Sequence, residues 1–176
     1  MICRRSRQRR GRSLIRSRAL PVPLRRLGGD LRLFFCAGSE ATKGMNQEPT
    51  IHIAIADDHL KFRRALAYQL ERSGLRVIME ATNGSELIAQ LHALPILPDI
   101  CVVDVHMPVM DGMDTASILR REWPDMGILS ISMDCDTDTT VKALQSGADA
   151  FIEKGTDPAQ LVNIIKDIYG KRKTGA

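Results

Sequence analysis

From residue 50 onward the apolar residues of this chain switch regularly between two spacings. Short β-branched runs alternate with segments whose apolar residues recur every three or four positions, the marks of strands and amphipathic helices. Residues 51–56 read as a strand that ends in Asp57-Asp58. Leu60, Phe62, Leu66 and Leu70 mark a helix that stops at Ser73-Gly74. Residues 75–80 form a second strand. Asn83 caps a helix that runs to about Ala93, with Glu86 three positions on, as in a capping box. Pro95 and Pro98 break the chain before a third strand that closes on Asp104. Residues 112–122 are helical and end at Trp123-Pro124, and residues 126–132 form the fourth strand. Asp136 or Thr137 caps a helix to Ser146, which Gly147 terminates. Residues 149–152 are a short fifth strand, with Lys154 just beyond it. Asp157-Pro158 opens a last helix that runs to about Tyr169.

This is a strand followed by a helix, five times over. Five parallel strands with right-handed crossovers make a doubly wound α/β sheet with helices on both faces. The third strand organises the rest. Ile100-Cys101-Val102-Val103 is apolar throughout, as a parallel strand buried on both faces must be, and it ends in a carboxylate. Open α/β sheets place their ligand crevice at the carboxyl ends of the strands, so Asp104 is the candidate centre of a site.

Composition changes this picture at one end only. With 176 residues, 44% of them apolar and 26% charged, the chain is an ordinary globular one. It has no apolar run of the ~18 residues that a membrane span needs. Cys3, Cys36, Cys101 and Cys135 match no zinc spacing and read as reduced structural thiols of a cytoplasmic protein. The net charge of +4 is unevenly shared: residues 1–44 carry +10, and the remainder carries −6. That basic extension has no sustained period and is expected to be disordered. It fits a basic arm for nucleic acid or an anionic membrane surface, an Arg-rich targeting peptide, or a stretch upstream of the true start at Met45. The last is favoured, because Met45-Asn46-Gln47-Glu48-Pro49 leads straight into the first strand. Residues 50–170 then form one domain and 171–176 a tail.

The strand ends carry the chemistry. With the strands ordered 2-1-3-4-5, the first places Asp57 and Asp58, the third Asp104, the fourth Ser132 and the fifth Lys154 along one edge. Three converging carboxylates repel one another, and a hard divalent cation with all-oxygen ligands, Mg²⁺, relieves that repulsion. Asp58 and Asp104 are expected to ligate it directly and Asp57 through water, with the backbone carbonyl of His106 adding an oxygen. Such an ion beside an exposed carboxylate pins an incoming phosphoryl group, while Lys154 and the Ser132 hydroxyl take its other oxygens. The product is an aspartyl phosphate. Asp104 is the preferred acceptor, because it stands alone on the central strand.

The segments Ile55-Ala56-Asp57-Asp58-His59, Val103-Asp104-Val105-His106-Met107-Pro108, Ser132-Met133 and Gly147-Ala148-Asp149-Ala150-Phe151-Ile152-Glu153-Lys154 together resemble the receiver domain of bacterial two-component response regulators. The resemblance covers about residues 50–170. It implies a flavodoxin-like fold with strand order 2-1-3-4-5, Asp104 as phosphoacceptor, and Asp57 and Asp58 on Mg²⁺. It also implies Ser132 and Phe151 as a switch pair and Lys154 on the phosphoryl group. The implied partners are a sensor histidine kinase or a histidine phosphotransfer protein, an output protein, and a second copy of the chain in a phosphorylation-dependent dimer. Gly155 stands where many receivers carry proline, as in the subgroup with a LuxR-type helix-turn-helix. No DNA-binding domain is expected in this sequence, so transcription is not carried over from that subgroup.

Simpler readings stand beside these. Asp57-Asp58 would serve as a helix cap, Ser132 as a plain strand-end hydroxyl, Lys154 as a solvated loop lysine and Phe151 as core alone. His52, His59 and His92 have no metal partners, and the His106 ring is expected to flank the site rather than ligate. Asp134, Asp136 and Asp138 read as an exposed acidic loop, with Asp134, two past Ser132, placed to tune dephosphorylation. At the level of function the rivals are a binding module with a vestigial pocket, a nucleic-acid binder acting through the Arg-rich extension, and a Mg²⁺-dependent phosphatase. The leading expectation is a phosphoacceptor switch rather than a turnover enzyme.

Overall fold

A computed structural model describes residues 50–134 and 136–174. The expectations for residues 1–44, for the start at Met45, and for Cys3, Cys36 and Cys135 fall outside the described residues. Ten elements alternate without exception: β1 (His52–Ala56), α1 (Leu60–Arg72), β2 (Arg76–Ala81), α2 (Gly84–Ala93), β3 (Ile100–Asp104), α3 (Gly112–Glu122), β4 (Gly127–Ser132), α4 (Thr137–Gln145), β5 (Ala150–Glu153) and α5 (Pro158–Thr174). The strands form one parallel sheet in the order β2-β1-β3-β4-β5. The expected architecture and strand order are both present.

Side chains alternate across the pleat and divide the core in two. Ile53, Ile55, Ile100, Val102, Leu129 and Ile131 pack under Leu66 and Leu70 of α1 and Leu161, Ile165 and Ile168 of α5. On the other face Ala54, Ala56, Cys101, Val103 and Ile128 meet Leu87 and Leu91 of α2 and Ala116 and Leu119 of α3. β3 is buried along its whole length, so its position between the two layers is specified from both sides. The free thiol of Cys101 lies against the Met126 sulfur at 3.2 Å, and burial pushes its pKa up.

Local signals set most helix ends. Asn83 Oδ1 accepts from Glu86 N, and Glu86 reaches back one residue beyond the cap, accepting from both N and Oγ1 of Thr82. Asp136, rather than Thr137, caps α4 through Thr139 N. Gly147, with φ of 107°, closes that helix. α5 departs from expectation. It continues through Gly170 to Thr174, whose hydroxyl donates to the carbonyls of Gly170 and Lys171. A glycine weakens a helix interior by only about 1 kcal/mol, which is too little to end one by itself. Packing of Ile165 and Ile168 and the ion contact between Arg172 and Asp149 carry α5 past it.

The loop that follows Asp104 is tightly constrained. Val109, a β-branched residue, has φ of 71°, and Met110 N donates to Pro108 O at 2.8 Å, closing a γ-turn around it. Gly112 N then donates to Val105 O, and a Cβ on Gly112 would lie 2.2 Å from the carbonyl oxygen of Asp104. The start of α3 can approach the end of β3 this closely only without a side chain at 112.

Two stability measurements follow from this loop. Val109→Gly should raise the midpoint of chemical denaturation, since a strained non-glycine residue of this kind costs on the order of 1–3 kcal/mol. Equal or lower stability would mean that the turn carries no strain. Gly112→Ala should destabilise by about 1–3 kcal/mol through backbone overpacking. An unchanged midpoint would show that α3 can move away freely.

Candidate functional site

The sheet order brings four strand ends together at one edge. Asp57 follows β1, Asp104 is the last residue of β3, Ser132 the last of β4, and Lys154 follows β5. Backbone bonds lock these ends laterally: Asp57 N donates to Ala81 O, Val105 N to Ile131 O, and Lys154 N to Ser132 O. A hollow of about 380 Å³ lies at the opposite edge, beside Asp99, Trp123 and Tyr169, and takes no part in this cluster.

Asp57, Asp58 and Asp104 each offer a carboxylate oxygen, and these atoms lie within 4.8 Å of one another. Asp57 and Asp104 are buried; Asp58 is exposed. Two like charges at that separation repel by about 3 kcal/mol at an effective dielectric near 20. The Lys154 ammonium offsets part of this, standing 2.6 Å from Asp104 Oδ2 and 2.8 Å from Asp57 Oδ2. The two contacts differ in kind. That to Asp104 is an aligned hydrogen bond, whereas Asp57 Oδ2 is buried and accepts no directed hydrogen bond, so its contact with the ammonium is one of charge. The Phe62 ring of α1 lies under the same ammonium, 4.8 Å from its centroid.

These surroundings displace both partners. Burial raises the pKa of Asp104 above the usual carboxylate range, against the opposing pull of Lys154. For Lys154 burial works downward, but its contacts with the carboxylates of Asp104 and Asp57 outweigh it, and its pKa is raised.

The remaining residues are placed as follows. The Ser132 hydroxyl is buried and accepts from Asp134 N at 3.1 Å, which leaves its own O–H free to donate. Phe151 lies opposite Ser130 in the β4–β5 register, and Glu153 lies opposite Ser132, so Phe151 and Ser132 share one face of the sheet. Phe151 is half-buried on the edge strand and belongs to neither core cluster. His106 N donates to Asp104 Oδ1 at a long 3.3 Å, and its exposed ring points to Asp134, with Nε2 3.8 Å from Oδ2. Asp57 does not act as a helix cap. His59 is the N-cap residue of α1 and makes no side-chain cap bond, and Asp57 Oδ1 instead closes a turn by accepting from His59 N. Gly155 has φ of 101°, an angle closed to proline, so the departure at this position changes the backbone just after Lys154.

Two contributors were not read from the sequence. Arg63 is buried, with Nη1 donating to Asp57 O and Nε to Glu80 Oε2. The available signal was a charged residue on the same helix face as Leu66, Ala67 and Leu70. Phe62 enters the sequence pattern only as an apolar position of the first helix, and its place under Lys154 leaves no mark in the spacing.

The donor set suits a hard divalent cation. All candidate ligand atoms are oxygens, the cluster has one ammonium for three carboxylates, and one buried oxygen lacks a directed bond. A carboxylate held beside a lysine and such an ion can take a phosphoryl group.

Comparison with known proteins agrees with this geometry. Residues 53–166 match the family model described as the response regulator receiver domain. The chain is 32% identical over 119 residues to the uncharacterized transcriptional regulatory protein YhcZ of Bacillus subtilis, covering 67% of this chain and 54% of that one. Among solved structures it is similar to the signal receiver domain of response regulator NarL from Mycobacterium tuberculosis. That match has 29% identity and a TM-score of 0.63, and covers 69% of this chain and 97% of the other. A two-component response regulator of the LuxR family from Aurantimonas matches at 30% identity and a TM-score of 0.65, over 70% of this chain and 87% of the other. The chain spans about half the length of the curated relatives it matches. A family match over most of the domain, joined to the strand order and the strand-end carboxylates, identifies the chain as a member of the response-regulator receiver-domain family of two-component signalling.

Proposed function

We propose that this chain is a phosphoacceptor switch of a two-component phosphorelay, acting in the cytoplasm, with Asp104 as the acceptor. The observation that carries the reading is the Lys154 ammonium shared between the buried carboxylates of Asp104 and Asp57. Asp57, Asp58 and Asp104 would hold Mg²⁺, with the His106 carbonyl as a further oxygen. The ion supplies charge neutralisation for an arriving phosphoryl group. Asp104 attacks as the carboxylate, forming a P–O bond as the P–N bond of a phosphohistidine donor breaks and the donor imidazole keeps that electron pair. Lys154 takes one phosphoryl oxygen, and the free O–H of Ser132 donates to another.

Coupling outward follows from the sheet. Ser132 and Phe151 share a face, and β5 lies at the edge, where Phe151 is only half-covered. Drawing the Ser132 hydroxyl toward a new dianion shifts the β4–α4 loop and changes the cover over Phe151. The donor is a sensor histidine kinase or a histidine phosphotransfer protein. The output is protein binding, with a phosphorylation-dependent dimer of this chain as one form of it. Slow loss of the phosphoryl group, rather than sustained turnover, is the behaviour of such a switch. Among the described residues no helix is long and apolar enough to cross a membrane.

Incubation with acetyl phosphate and Mg²⁺, followed by intact-mass measurement, tests the acceptor. One phosphoryl mass should appear on the wild-type chain and none on Asp104→Asn. Addition to the variant, or no addition to either, overturns the assignment. A second measurement tests the electrostatics. Because burial raises the Asp104 pKa, ionising Asp104 opposes folding of the metal-free protein, and that cost appears as pH rises through its folded-state value. Metal-free Asp104→Asn should therefore melt above wild type at pH 7, by roughly 4 °C for each kcal/mol of relief. The difference should shrink toward zero in acid. A variant that melts lower at pH 7 would mean that the Lys154 contact outweighs burial.

A further inference from the structure

The first turn of α1 aims a cation into the fold. Arg63 is 7% exposed and lies on the helix face that packs on the sheet. A guanidinium in that position must be fully engaged to be tolerated. Nη1 donates to the Asp57 carbonyl at 2.5 Å, and Nε donates to Glu80 Oε2 at 3.0 Å. Asp57 is the residue after β1, and Glu80 lies near the end of the neighbouring β2. One planar fork thus spans the ends of two adjacent strands.

The turn at Asp57 is held from three directions. Its N–H donates to Ala81 O of β2, its Oδ1 accepts from His59 N, and its carbonyl accepts from Arg63. The first two fix the residue along the sheet and toward its own loop. Arg63 ties it to the body of α1, and through α1 to the core beneath. The Asp58 carboxylate, exposed at the next position, takes its direction from the same turn.

Charge alone does not explain the arrangement. Glu80 pairs with Arg63, so the two together add little net charge to the acidic cluster. What the pair contributes is placement. Lysine has a point-like ammonium and cannot hold both acceptors as the guanidinium fork does.

We propose that Arg63 is a positioning residue for the divalent-cation site, fixing the Asp57-Asp58 turn so that both carboxylates converge with Asp104. The proposal rests on the reading of those three residues as a Mg²⁺ site. It assigns the affinity of that site in part to a side chain that touches no ligand atom.

Calorimetric titration of the full chain with Mg²⁺, well below the melting temperature, tests it without any phosphoryl transfer. Wild type should bind and Asp57→Asn should not. Arg63→Lys keeps the charge and loses the fork, and should weaken binding by about tenfold or more, as loss of an outer-shell partner does. Glu80→Gln keeps an acceptor for Nε and drops the charge, and should bind near wild type. Should Arg63→Lys fail to fold by circular dichroism, Arg63→Gln is read in the same way. Wild-type affinity in a folded Arg63 variant overturns the proposal and leaves the cation site standing, even where its melting point falls. A larger change in Glu80→Gln than in Arg63→Lys also overturns it, in favour of a charge effect. No binding by wild type overturns the cation site itself.

Discussion

The Lys154 ammonium between two buried carboxylates is the constraint around which the carboxyl edge of the sheet is arranged. An isolated buried carboxylate is strongly disfavoured, and two side by side more so. Lys154 makes the pair tolerable without neutralising it, because Asp58 adds a third negative charge at the rim. The requirement propagates inward. Lys154 must leave β5 at the correct height, so its N–H is bonded to Ser132 O, and β5 is paired with β4 through Glu153. Asp104 must end a strand buried along its whole length, so β3 is packed from both faces by the two core clusters. Rigid layers below and uncompensated charge above are consistent parts of one design.

Two of the positive-φ residues lie in the loops around that edge. Val109 sits at positive φ in the loop after β3, and Gly155 sits at positive φ immediately after Lys154. Gly112 allows α3 to begin against the Asp104 carbonyl. The strands themselves show one irregularity, between Ile53 and Ala54 in the pairing with β2, well away from the carboxylates. The one non-glycine residue at positive φ among those described, Val109, thus lies in the loop that follows Asp104, and the regular sheet supplies the fixed frame.

Much of this was legible in the chain because the signals are local. Runs such as residues 100–103 can only be buried strands, and Asn83, Asp136 and Gly147 mark helix ends through bonds within their own neighbourhood. Once five strands alternate with five helices, their carboxyl ends must share an edge, and Asp57, Asp58, Asp104, Ser132 and Lys154 fall there by topology. The details that were missed depend on tertiary proximity. Gly170 looks like a stop, but the packing of Ile168 and the contact of Arg172 with Asp149 extend α5 beyond it. Arg63 looks like one of many surface arginines unless its place among Leu66, Ala67 and Leu70 is noticed. That Lys154 reaches Asp57 as well as Asp104 depends on side-chain torsions that no spacing encodes.

On the proposed reading, the same ammonium also explains why such a site can switch. Before transfer, its partners are the carboxylates of Asp57 and Asp104. Transfer converts one oxygen of the Asp104 carboxylate into the bridging oxygen of an acyl phosphate and places a dianion further out, so one of the two partners of Lys154 changes position while the other stays fixed at the end of β1. Lys154 is bonded through its backbone to Ser132, and the Ser132 hydroxyl already accepts from Asp134 N in the β4–α4 loop. A change at Asp104 thus reaches the β4–α4 loop through two bonds at once, one of side-chain charge and one of main chain. Shifting a two-state loop from mostly one form to mostly the other needs about 5 kcal/mol of differential affinity at most. A charge-assisted bond to a dianion contributes about 1.5–3 kcal/mol, so those from Lys154 and Ser132 together reach that range. The switch therefore needs no long-range wire, only a lysine whose two obligations stop agreeing.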